Sequence, residues 1–508
     1  MNFCQARGGL VQVGALLAAA LLVAGCGNNS RPVISPVNSN GPAAQPQSYA
    51  VVVSATSLTA PGIATIIDYS GDSVMATAPI GEGPTAFTLD AFGGSAYTIN
   101  SNHTLTYFPI TVSGSSALQA NQVKYSALPT NAQPLNMFSP SNGLWTPDLY
   151  GSYADAFSGY PPLLHYSIPV APVPVMVVGA GNNSLRNFAI SQNIVNPTGV
   201  ECNSPTTGPI GVVTPIETLT FTTDTPIPVG KCPVFAVESS DSRRLFVLNR
   251  GDDTITVINA QTGALDYPCP PANQLGQTIN CPLNGLLPLS TAAGLTGTNV
   301  PTTAGPVYAE YNTATSQLIV ADYDGGTISV IDVTEDEFGN DSPTFGTTFT
   351  IPVGKNPASV TALADITEGS RAYTANQADQ TVTIVNLSSH TVEKTLPVTG
   401  HPRTVVSTQN GTEGKVYVAS PDSNVLTIIR TDEDIVDATV LLVGNIVDVR
   451  VSSQTAGSGT SANNNIVSRV PGYGQPCNLP LSEFNPSTSP NSPTAHANCQ
   501  VQDTSLLQ

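Results

Sequence analysis

Charged residues are scarce in this chain of 508 residues. Asp, Glu, Lys and Arg together make up 10% of it, whereas a soluble domain usually has roughly 25%. Basic residues are the scarcest, with 16 Lys and Arg against 35 Asp and Glu and a formal net charge of −19. Proteins that bind nucleic acid neutralise phosphates with clustered Lys and Arg. We therefore expect no nucleic-acid partner.

Motifs of catalysis and cofactor binding are also missing. The sequence has no G-x-S-x-G motif, no P-loop and no C-x-x-C pair, which excludes a nucleophile elbow, a Walker phosphate site and c-type haem attachment. The histidines occur singly, at His103, His165, His390, His401 and His496. We predict no catalytic residue, no metal site and no cofactor.

Glycine and proline are abundant instead, with 43 of each, and 40% of the residues are hydrophobic. Frequent Gly and Pro interrupt helices, while the apolar content is too high for a disordered chain, which combines low hydrophobicity with high charge. This composition predicts an all-β protein with many turns.

The N-terminus has the pattern of an exported protein. Arg7 is the one charge in residues 1–25, and the apolar run 16–23 has the length of a signal peptide rather than of a membrane span. The following Val23-Ala24-Gly25-Cys26 resembles the bacterial lipoprotein signal, which implies that residues 1–25 are removed and that Cys26 is acylated. The alternative is an ordinary secretory signal with an incidental cysteine.

Residues 27–48 are rich in Asn, Ser, Pro and Gly, which is typical of a flexible tether. No later segment has about 18 uninterrupted apolar residues, so we expect membrane attachment only through the lipid. Gly27 stands where many inner-membrane lipoproteins carry Asp. The lipoprotein resemblance therefore implies the bacterial cell envelope, at the outer membrane and facing the periplasm or the cell surface.

Six cysteines follow Cys26, an even number suited to disulfides in an oxidising compartment. They are Cys202, Cys232, Cys269, Cys281, Cys477 and Cys499. Nearness in sequence suggests the pairs Cys269–Cys281 and Cys477–Cys499, which leaves Cys202–Cys232. This is one of the 15 possible connectivities.

A repeat runs through the chain. Five segments align without a gap, beginning at Tyr97, Phe246, Ile319, Tyr373 and Tyr417. Each has a run of β-forming residues, a polar turn and then an alternating strand, which predicts a β-hairpin. The alternation indicates that one face of the second strand is buried.

A second element precedes the hairpins. An aliphatic residue stands four positions before a proline, with a glycine between them, in the segments that begin at Ile80, Val229, Val353 and Val398. Val443-Gly444 repeats its start. We interpret this element as the passage from one repeat unit to the next, in which Gly permits a turn with positive φ and Pro fixes the entry to the following strand.

Together the two elements resemble the YVTN repeats of lactonase-like and surface-layer-like β-propellers, with Tyr373-Thr374-Ala375-Asn376 close to the signature. The resemblance is strong over 225–445, clear over 79–110 and faint over 130–225. It implies a β-propeller of four-stranded blades, each taking about 45 residues. The interval from Ile80 to Val229 fits two enlarged blades or three ordinary ones. We expect seven blades, with eight as the alternative.

The ends of the chain are predicted to close the ring. The segment from Tyr49 supplies three strands, and the segment from Asn445 supplies the missing one, so that both ends share a blade and no sheet edge is left between them. We thus divide the chain into the signal, the tether with Cys26, a propeller at 49–453 and a Ser/Asn/Pro-rich tail at 454–508 that carries the pair Cys477–Cys499.

The predicted function is a non-enzymatic binding or scaffold module. Its partner is an unknown protein, glycan or envelope component, and the alternative is a lactonase-like hydrolase, which the family resemblance alone suggests. The acidic segments, which are the expected contact loops, contain Asp252-Asp253, Asp322–Asp324, Asp332 with 335–337, and 432–434. Because Asp favours turns and no Ca²⁺-loop spacing occurs, we interpret them as turns, with a cation site as the alternative.

Overall fold

The computed structural model describes residues 49–69, 71–90, 93–110, 118, 120–130, 132–139, 143–179, 185–195, 202, 208–266, 286–289, 304–336, 339–363, 370–407 and 414–452. They are almost entirely β-structure, with a single short 3₁₀ helix, η1 (Ala120–Gln122), in the described part. Within these residues no helix has the length and apolar character needed to cross a bilayer.

The strands follow one another along the chain with short connections. The first half contains β1 (Tyr49–Ala55), β2 (Pro61–Asp68), β3 (Val74–Glu82), β4 (Pro84–Leu89), β5 (Ser95–Asn100), β6 (Thr104–Pro109), β7 (Lys124–Ala127), β8 (Leu144–Asp148), β9 (Tyr153–Ser158), β10 (Leu163–Pro169), β11 (Pro174–Gly179), β12 (Arg186–Ser191), β13 (Ile210–Glu217), β14 (Ile227–Lys231), β15 (Pro233–Glu238) and β16 (Arg244–Asn249). The second half contains β17 (Thr254–Asn259), β18 (Ala264–Leu265), β19 (Leu286–Pro288), β20 (Pro306–Asn312), β21 (Gln317–Asp322), β22 (Thr327–Asp332), β23 (Thr348–Pro352), β24 (Pro357–Leu363), β25 (Arg371–Asn376), β26 (Thr381–Asn386), β27 (Thr391–Pro397), β28 (Thr404–Ser407), β29 (Lys415–Ala419), β30 (Val425–Arg430), β31 (Ile435–Leu441) and β32 (Asn445–Ser452).

These strands form eight antiparallel sheets, the blades of a β-propeller. Blade 1 has the order β32-β1-β2-β3 from inside to outside, and blade 2 is β4–β7, blade 3 is β8–β10 and blade 4 is β11–β14. Blade 5 is β15–β18 with β19 paired to β17, followed by blade 6 (β20–β23), blade 7 (β24–β27) and blade 8 (β28–β31). We number the strand positions in each blade first to fourth from the inside.

The expectation of seven blades is wrong, because the structure has eight. The difference arises between Ile80 and Val229, where three blades stand rather than two enlarged ones. Blades 3 and 4 keep the buried pattern of their strands, such as the fully buried β11, but they have lost the turn residues that mark the repeat. The faint stretch of the repeat therefore holds ordinary blades with an altered sequence.

Blade 3 has an irregular innermost position. Its first strand is replaced by a short extended segment that pairs with β8 at one bridge, where Phe138 and Trp145 exchange backbone hydrogen bonds of 2.8 and 2.7 Å. Pro134 opens this segment as a proline opens β4 and β15. Blade 3 is thus a three-stranded sheet with one further bridge on its inner side, and β10 is its outermost strand.

The ring closes as the sequence predicts. β32 is the innermost strand of blade 1 and pairs antiparallel with β1, with Tyr49 opposite Ser452 and Val53 opposite Asp448. Two ends of the chain that are separated by about 400 residues therefore share one sheet, and no unpaired inner edge is left in that blade.

The core lies between the blades. Alternate side chains of each strand point to opposite faces of its sheet, and the apolar ones form clusters that join neighbouring blades, as Phe87 and Leu89 of blade 2 do with Val51 and Val53 of blade 1. The largest cluster runs continuously through blades 4 to 7. Thr and Ser accompany the Val and Ile residues, which accounts for strands with so few charges.

Asparagines at the ends of second strands explain the repeat signature. Asn376 Nδ2 donates to the hydroxyls of Thr381 and Thr383 at 3.1 and 2.7 Å. The same contacts join Asn249 to Thr254 and Thr256 at 3.1 and 2.8 Å. We call this arrangement the asparagine clasp. It fixes the turn between the second and third strands by pairing the buried amide Nδ2 of the asparagine with two hydroxyls.

Two glycines in the passage between blades have a different role from the one that the sequence predicts. Gly230 and Gly354 have no positive φ; instead, a Cβ at either position would lie 2.5 Å from the clasp asparagine. These glycines allow close approach rather than an unusual turn. The positive φ falls on the residue before the proline, as at Cys232 (48°) and Asn356 (52°), whereas Gly400 (76°) does have the expected conformation.

Candidate functional site

Of the predicted cysteine pairs, one lies within the described residues. Cys202 and Cys232 form a disulfide with a Cα–Cα separation of 5.6 Å, which confirms that pair. Cys232 sits at the entry to β15, so the bond ties the 202 loop to the passage from blade 4 to blade 5. Cys26, Cys269, Cys281, Cys477, Cys499 and His496 lie outside the described residues.

The four described histidines lie in separate turns and strands. His103 and His390 occupy turns with φ of 58° and 56°, and His165 lies on β10. His401 contacts Asp422, which accepts from its ring Nδ1 at 2.5 Å and from its backbone N–H at 2.7 Å. Because this carboxylate also holds the backbone, we assign the His401–Asp422 contact to the turn. No group of three or more His, Cys, Asp or Glu side chains in the described ranges is placed to hold a metal ion.

Several of the acidic turns are engaged in contacts between turns and blades. Asp324 forms a bidentate pair with Arg250 of the preceding blade, at 3.0 and 2.8 Å. Asp252 accepts from the backbone N–H of Lys231 at 3.0 Å. Asp434 accepts from the hydroxyl of Tyr373 at 2.7 Å. These carboxylates stabilise the ring, so they do not form the open contact surface that the sequence led us to expect.

Buried polar groups join the inner strands of blades 6, 7, 8 and 1. Glu310 Oε1 accepts from the backbone N–H of Ala362 at 2.8 Å. Thr404 donates to Asp448 Oδ1 at 2.8 Å, and Asp448 pairs with Arg450 at 2.9 Å. Asp448 and Arg450 are both 0% exposed. Removal of either partner of such a pair would leave an uncompensated buried charge.

Glu238, at the end of β15, is a different kind of buried acid. Neither carboxyl oxygen has a hydrogen-bond partner among the described residues. Burial, with a smaller contribution from Asp241, raises the pKa of Glu238 to about 8. The carboxyl is therefore mainly protonated at pH 7.

A basic residue opens the second strand of four blades and reaches the next blade. Arg244 Nη2 binds Asp341 at 2.8 Å, and Arg371 Nη1 donates to the carbonyl of Thr431 at 2.9 Å. Lys415 Nζ binds Asp72 at 2.6 Å, and Arg186 contacts the carbonyl of Gln261. In each case the partner lies in the loop between the third and fourth strands of the following blade. We call these contacts the inter-blade pairs.

Blade 3 differs from the rest of the surface. The five exposed tyrosines of the described chain all lie between residues 125 and 166, and four of them belong to blade 3. They are joined there by exposed leucines and a histidine on β10. We call the following set the blade-3 rim: Tyr150, Tyr153, Tyr160, Leu163, Leu164, His165 and Tyr166.

The blade-3 rim is supported from beneath by stacked aromatic rings. Phe221, from the turn before β14, lies 4.4 Å from the ring of Tyr166 and 5.8 Å from that of Trp145. On the other side Tyr160 lies 4.8 Å from Tyr107 of blade 2. These contacts hold the exposed side chains on a rigid sheet edge.

The blade-3 rim carries no net charge. Between Lys124 and Arg186 the sequence contains two charged residues, Asp148 and Asp155, and both are buried. Burial raises the pKa of Asp155 to about 6, and its carboxylate accepts from Ser167 at 2.5 Å. A neutral, aromatic surface on a protein with a net charge of −19 is the strongest candidate for a contact site.

The sequence analysis missed this site because its residues belong to the faint part of the repeat. The near-absence of charge from 125 to 185 was the available signal. Exposure was the missing information, since an apolar strand in an all-β chain is usually core.

Comparison with solved structures identifies the fold. The apo structure of AztD from Citrobacter koseri aligns with a TM-score of 0.52 at 11% identity, over 80% of this chain and 97% of that chain. A second AztD crystal structure aligns over 82% and 98% with the same TM-score and identity. Dihydro-heme d1 dehydrogenase NirN in complex with DHE aligns with a TM-score of 0.53 at 13% identity, over 83% of this chain and 79% of that one. At these identities the likeness shows the β-propeller fold alone.

No protein-family model matches the chain, and no curated protein matches it in sequence. The chain therefore shares its fold with β-propellers of different kinds, and its function has to be argued from its own surface.

Proposed function

We propose that this protein is a cell-envelope lipoprotein with a YVTN-type propeller that acts as a non-enzymatic binding or scaffold module, and that the blade-3 rim is its contact surface. Cys26 carries the lipid, and the protein stands at the outer membrane, facing the periplasm or the cell surface. Its partner is a component of that envelope.

The observation that carries the binding role is the neutral blade-3 rim. Leu163, on the outermost strand β10, is 61% exposed, and Tyr160, in the turn before that strand, is 55% exposed. Tyrosine combines a large apolar ring with a hydroxyl, which suits contact surfaces. The lactonase-like alternative rests on the resemblance alone, and no contact among the described residues favours it.

Substitution of Cys26 tests the anchor. Cys26→Ala removes the thiol that would be acylated, so we expect the protein to move from the membrane fraction to the soluble fraction of the cell envelope. Cys4→Ala is the matched control, because Cys4 lies in the segment that the signal would remove, and it should leave the protein in the membrane fraction. Membrane retention of Cys26→Ala equal to that of the parent would refute acylation at this residue.

Footprinting tests the contact surface whatever the partner is. Hydroxyl radicals modify exposed tyrosines, so Tyr153, Tyr160 and Tyr166 should be protected in intact envelopes and modified in the purified protein. Phe349, an exposed aromatic residue on β23 of blade 6, should be modified equally in both samples. Equal modification of the three tyrosines in the two samples would remove the rim from the proposal.

A further inference from the structure

We infer that the blade-3 rim lies against the lipid bilayer, as a second membrane contact beside the acyl chain. The inference rests on the proposed function in taking the rim as the contact surface. It differs from the sequence expectation, in which the lipid is the one membrane attachment.

Charge favours the bilayer as the occupant of the rim. The leaflets of bacterial membranes contain anionic lipids, which repel acidic surfaces, and the whole chain carries a net charge of −19. Blade 3 is the stretch in which no exposed charge would have to be desolvated or brought near anionic headgroups. The same net charge on a second copy of the chain opposes pairing of two rims.

The side chains of the rim match the layers of a membrane surface. Leu163 and Leu164 are neighbouring exposed leucines at the start of β10, and aliphatic side chains gain free energy when they leave water. Tyrosines such as Tyr160 and Tyr166 are enriched at the level of the headgroups, where the ring is in an apolar layer and the hydroxyl is hydrated. A sugar chain would contact the tyrosines but would leave the leucines in water.

The tether allows this contact without determining it. The composition of residues 27–48 predicts a flexible tether, and a tether of about 22 residues would have a root-mean-square end-to-end distance of about 26 Å, which would not by itself set the orientation of the propeller. The surface with the most favourable contact then determines the orientation. The rim needs no rearrangement to make this contact, because β10 pairs with β9 and the hydroxyl of Ser167 donates a hydrogen bond to Asp155.

The single tryptophan of the chain provides a local probe. Trp145 is 5% exposed and belongs to the apolar cluster that contacts Phe221 directly beneath Tyr166. In the full chain isolated from the envelope and placed in phosphatidylcholine vesicles, bilayer contact should bring this indole close to the acyl chains. We expect its fluorescence to be quenched when the lipids carry bromine on their acyl chains and not when they are unbrominated.

A triple variant of the rim and a matched triple variant elsewhere make the test specific. Leu163→Ser, Leu164→Ser and Tyr166→Ser together should abolish the quenching. Val392→Ser, Val436→Ser and Leu441→Ser change three exposed apolar residues on the outer strands of blades 7 and 8, and they should leave it intact. Equal melting temperatures of the three proteins without lipid show that each is folded.

The outcomes separate the bilayer from other occupants and from the anchor. Quenching in the parent and its loss in the rim variant, with little change between low and high salt because the contact is neutral, support the inference. An anchored protein without quenching overturns it, even if footprinting shows the rim protected. Rim-dependent binding to isolated peptidoglycan, or a rim-dependent dimer in sedimentation, without quenching also overturns it. Failure of the anchor appears separately, as membrane retention of a protein that carries Cys26→Ala together with the three rim substitutions.

Discussion

At the scale of single residues, the turns of this propeller are stabilised by short side-chain contacts that repeat from blade to blade. The asparagine clasp is the clearest case, since Asn100, Asn249 and Asn376 donate to two hydroxyls each with nearly the same distances. Blade 6 has Asp322 in this position, and the direction of donation reverses: Thr327 and Ser329 donate to Oδ2 at 3.1 and 2.6 Å.

Because Asp titrates and Asn does not, this replacement makes the stability of blade 6 depend on pH, unlike that of the blades with an asparagine clasp. Burial raises the pKa of Asp322 to about 7, although the two hydroxyls act to lower it. An unfolded Asp has a pKa of about 3.9, so between about pH 4 and pH 7 the folded protein holds a proton that the unfolded chain has lost. The contribution of this group to stability therefore falls as the pH rises through that window and is constant above it.

We expect Asp322→Asn to remove this dependence and to restore the clasp of the other blades. The free energies of unfolding of variant and parent should agree near pH 4, and the variant should be more stable by about 4 kcal/mol at pH 8. Urea unfolding at several pH values measures the difference. Parallel pH profiles for the two proteins would show that Asp322 is not the responsible group.

At the scale of strands and blades, the inter-blade pairs repeat a single geometry. The first residue of a second strand reaches an outer loop of the next blade, as Lys415 of blade 8 does with Asp72 of blade 1. Lys415 also donates to the carbonyl of Tyr69 at 2.8 Å. This contact joins the last blade to the blade that closes the ring, so it stabilises the closure as well as one interface.

We expect Lys415→Met to destabilise the protein strongly, because it leaves the buried carboxylate of Asp72 without this charged partner. Breaking a buried pair in this way costs about 3–5 kcal/mol. Arg430→Met is the control, since Arg430 binds Asp432 and its neighbours within its own blade at a more exposed position, and a pair of that kind is worth about 1 kcal/mol or less. Chemical denaturation of the two variants checks the prediction, and equal losses would contradict it.

At the scale of the whole molecule, the ring depends on one strand from the far end of the chain. β32 supplies the innermost strand of blade 1, and Arg403 of blade 8 donates to the carbonyl of Val447 on it at 2.8 Å. Without β32 the strand β1 would present an unpaired inner edge, and the contacts between blades 8, 1 and 2 would be lost together.

Two truncations measure this dependence. A chain that ends before residue 445 lacks β32, and we expect it to show no cooperative thermal transition, because the loss exceeds the typical net stability of about 5–15 kcal/mol. A chain that ends at residue 453 keeps β32, and it should unfold at the temperature of the full chain. A shared melting temperature for the two truncated proteins would mean that β32 does not close the ring.

Much of the fold could be predicted, because strands and turns are determined by short patterns of neighbouring residues. The hairpin segments, the passage to the proline-led strand and the pairing of Tyr49 with the C-terminal strand follow from the residues themselves. The Cys202–Cys232 bond is the pair that remains after nearness in sequence has paired the other cysteines. The role predicted for Gly230, a turn with positive φ, was wrong. Gly230 instead allows close approach of Asn249, a residue of another strand, and spacing along the chain does not reveal contacts between strands.

The sequence by itself determined that this is an all-β repeat protein closed by its two ends, because strand alternation and turn residues act over a few neighbouring positions. The tertiary structure decided that there are eight blades, since blades 3 and 4 keep only their buried pattern. It also decided which surface is open. Acidic turns that look like contact loops are engaged in pairs between turns and blades, whereas apolar residues of β10 that look like core stand on the outermost strand, where no further blade covers them.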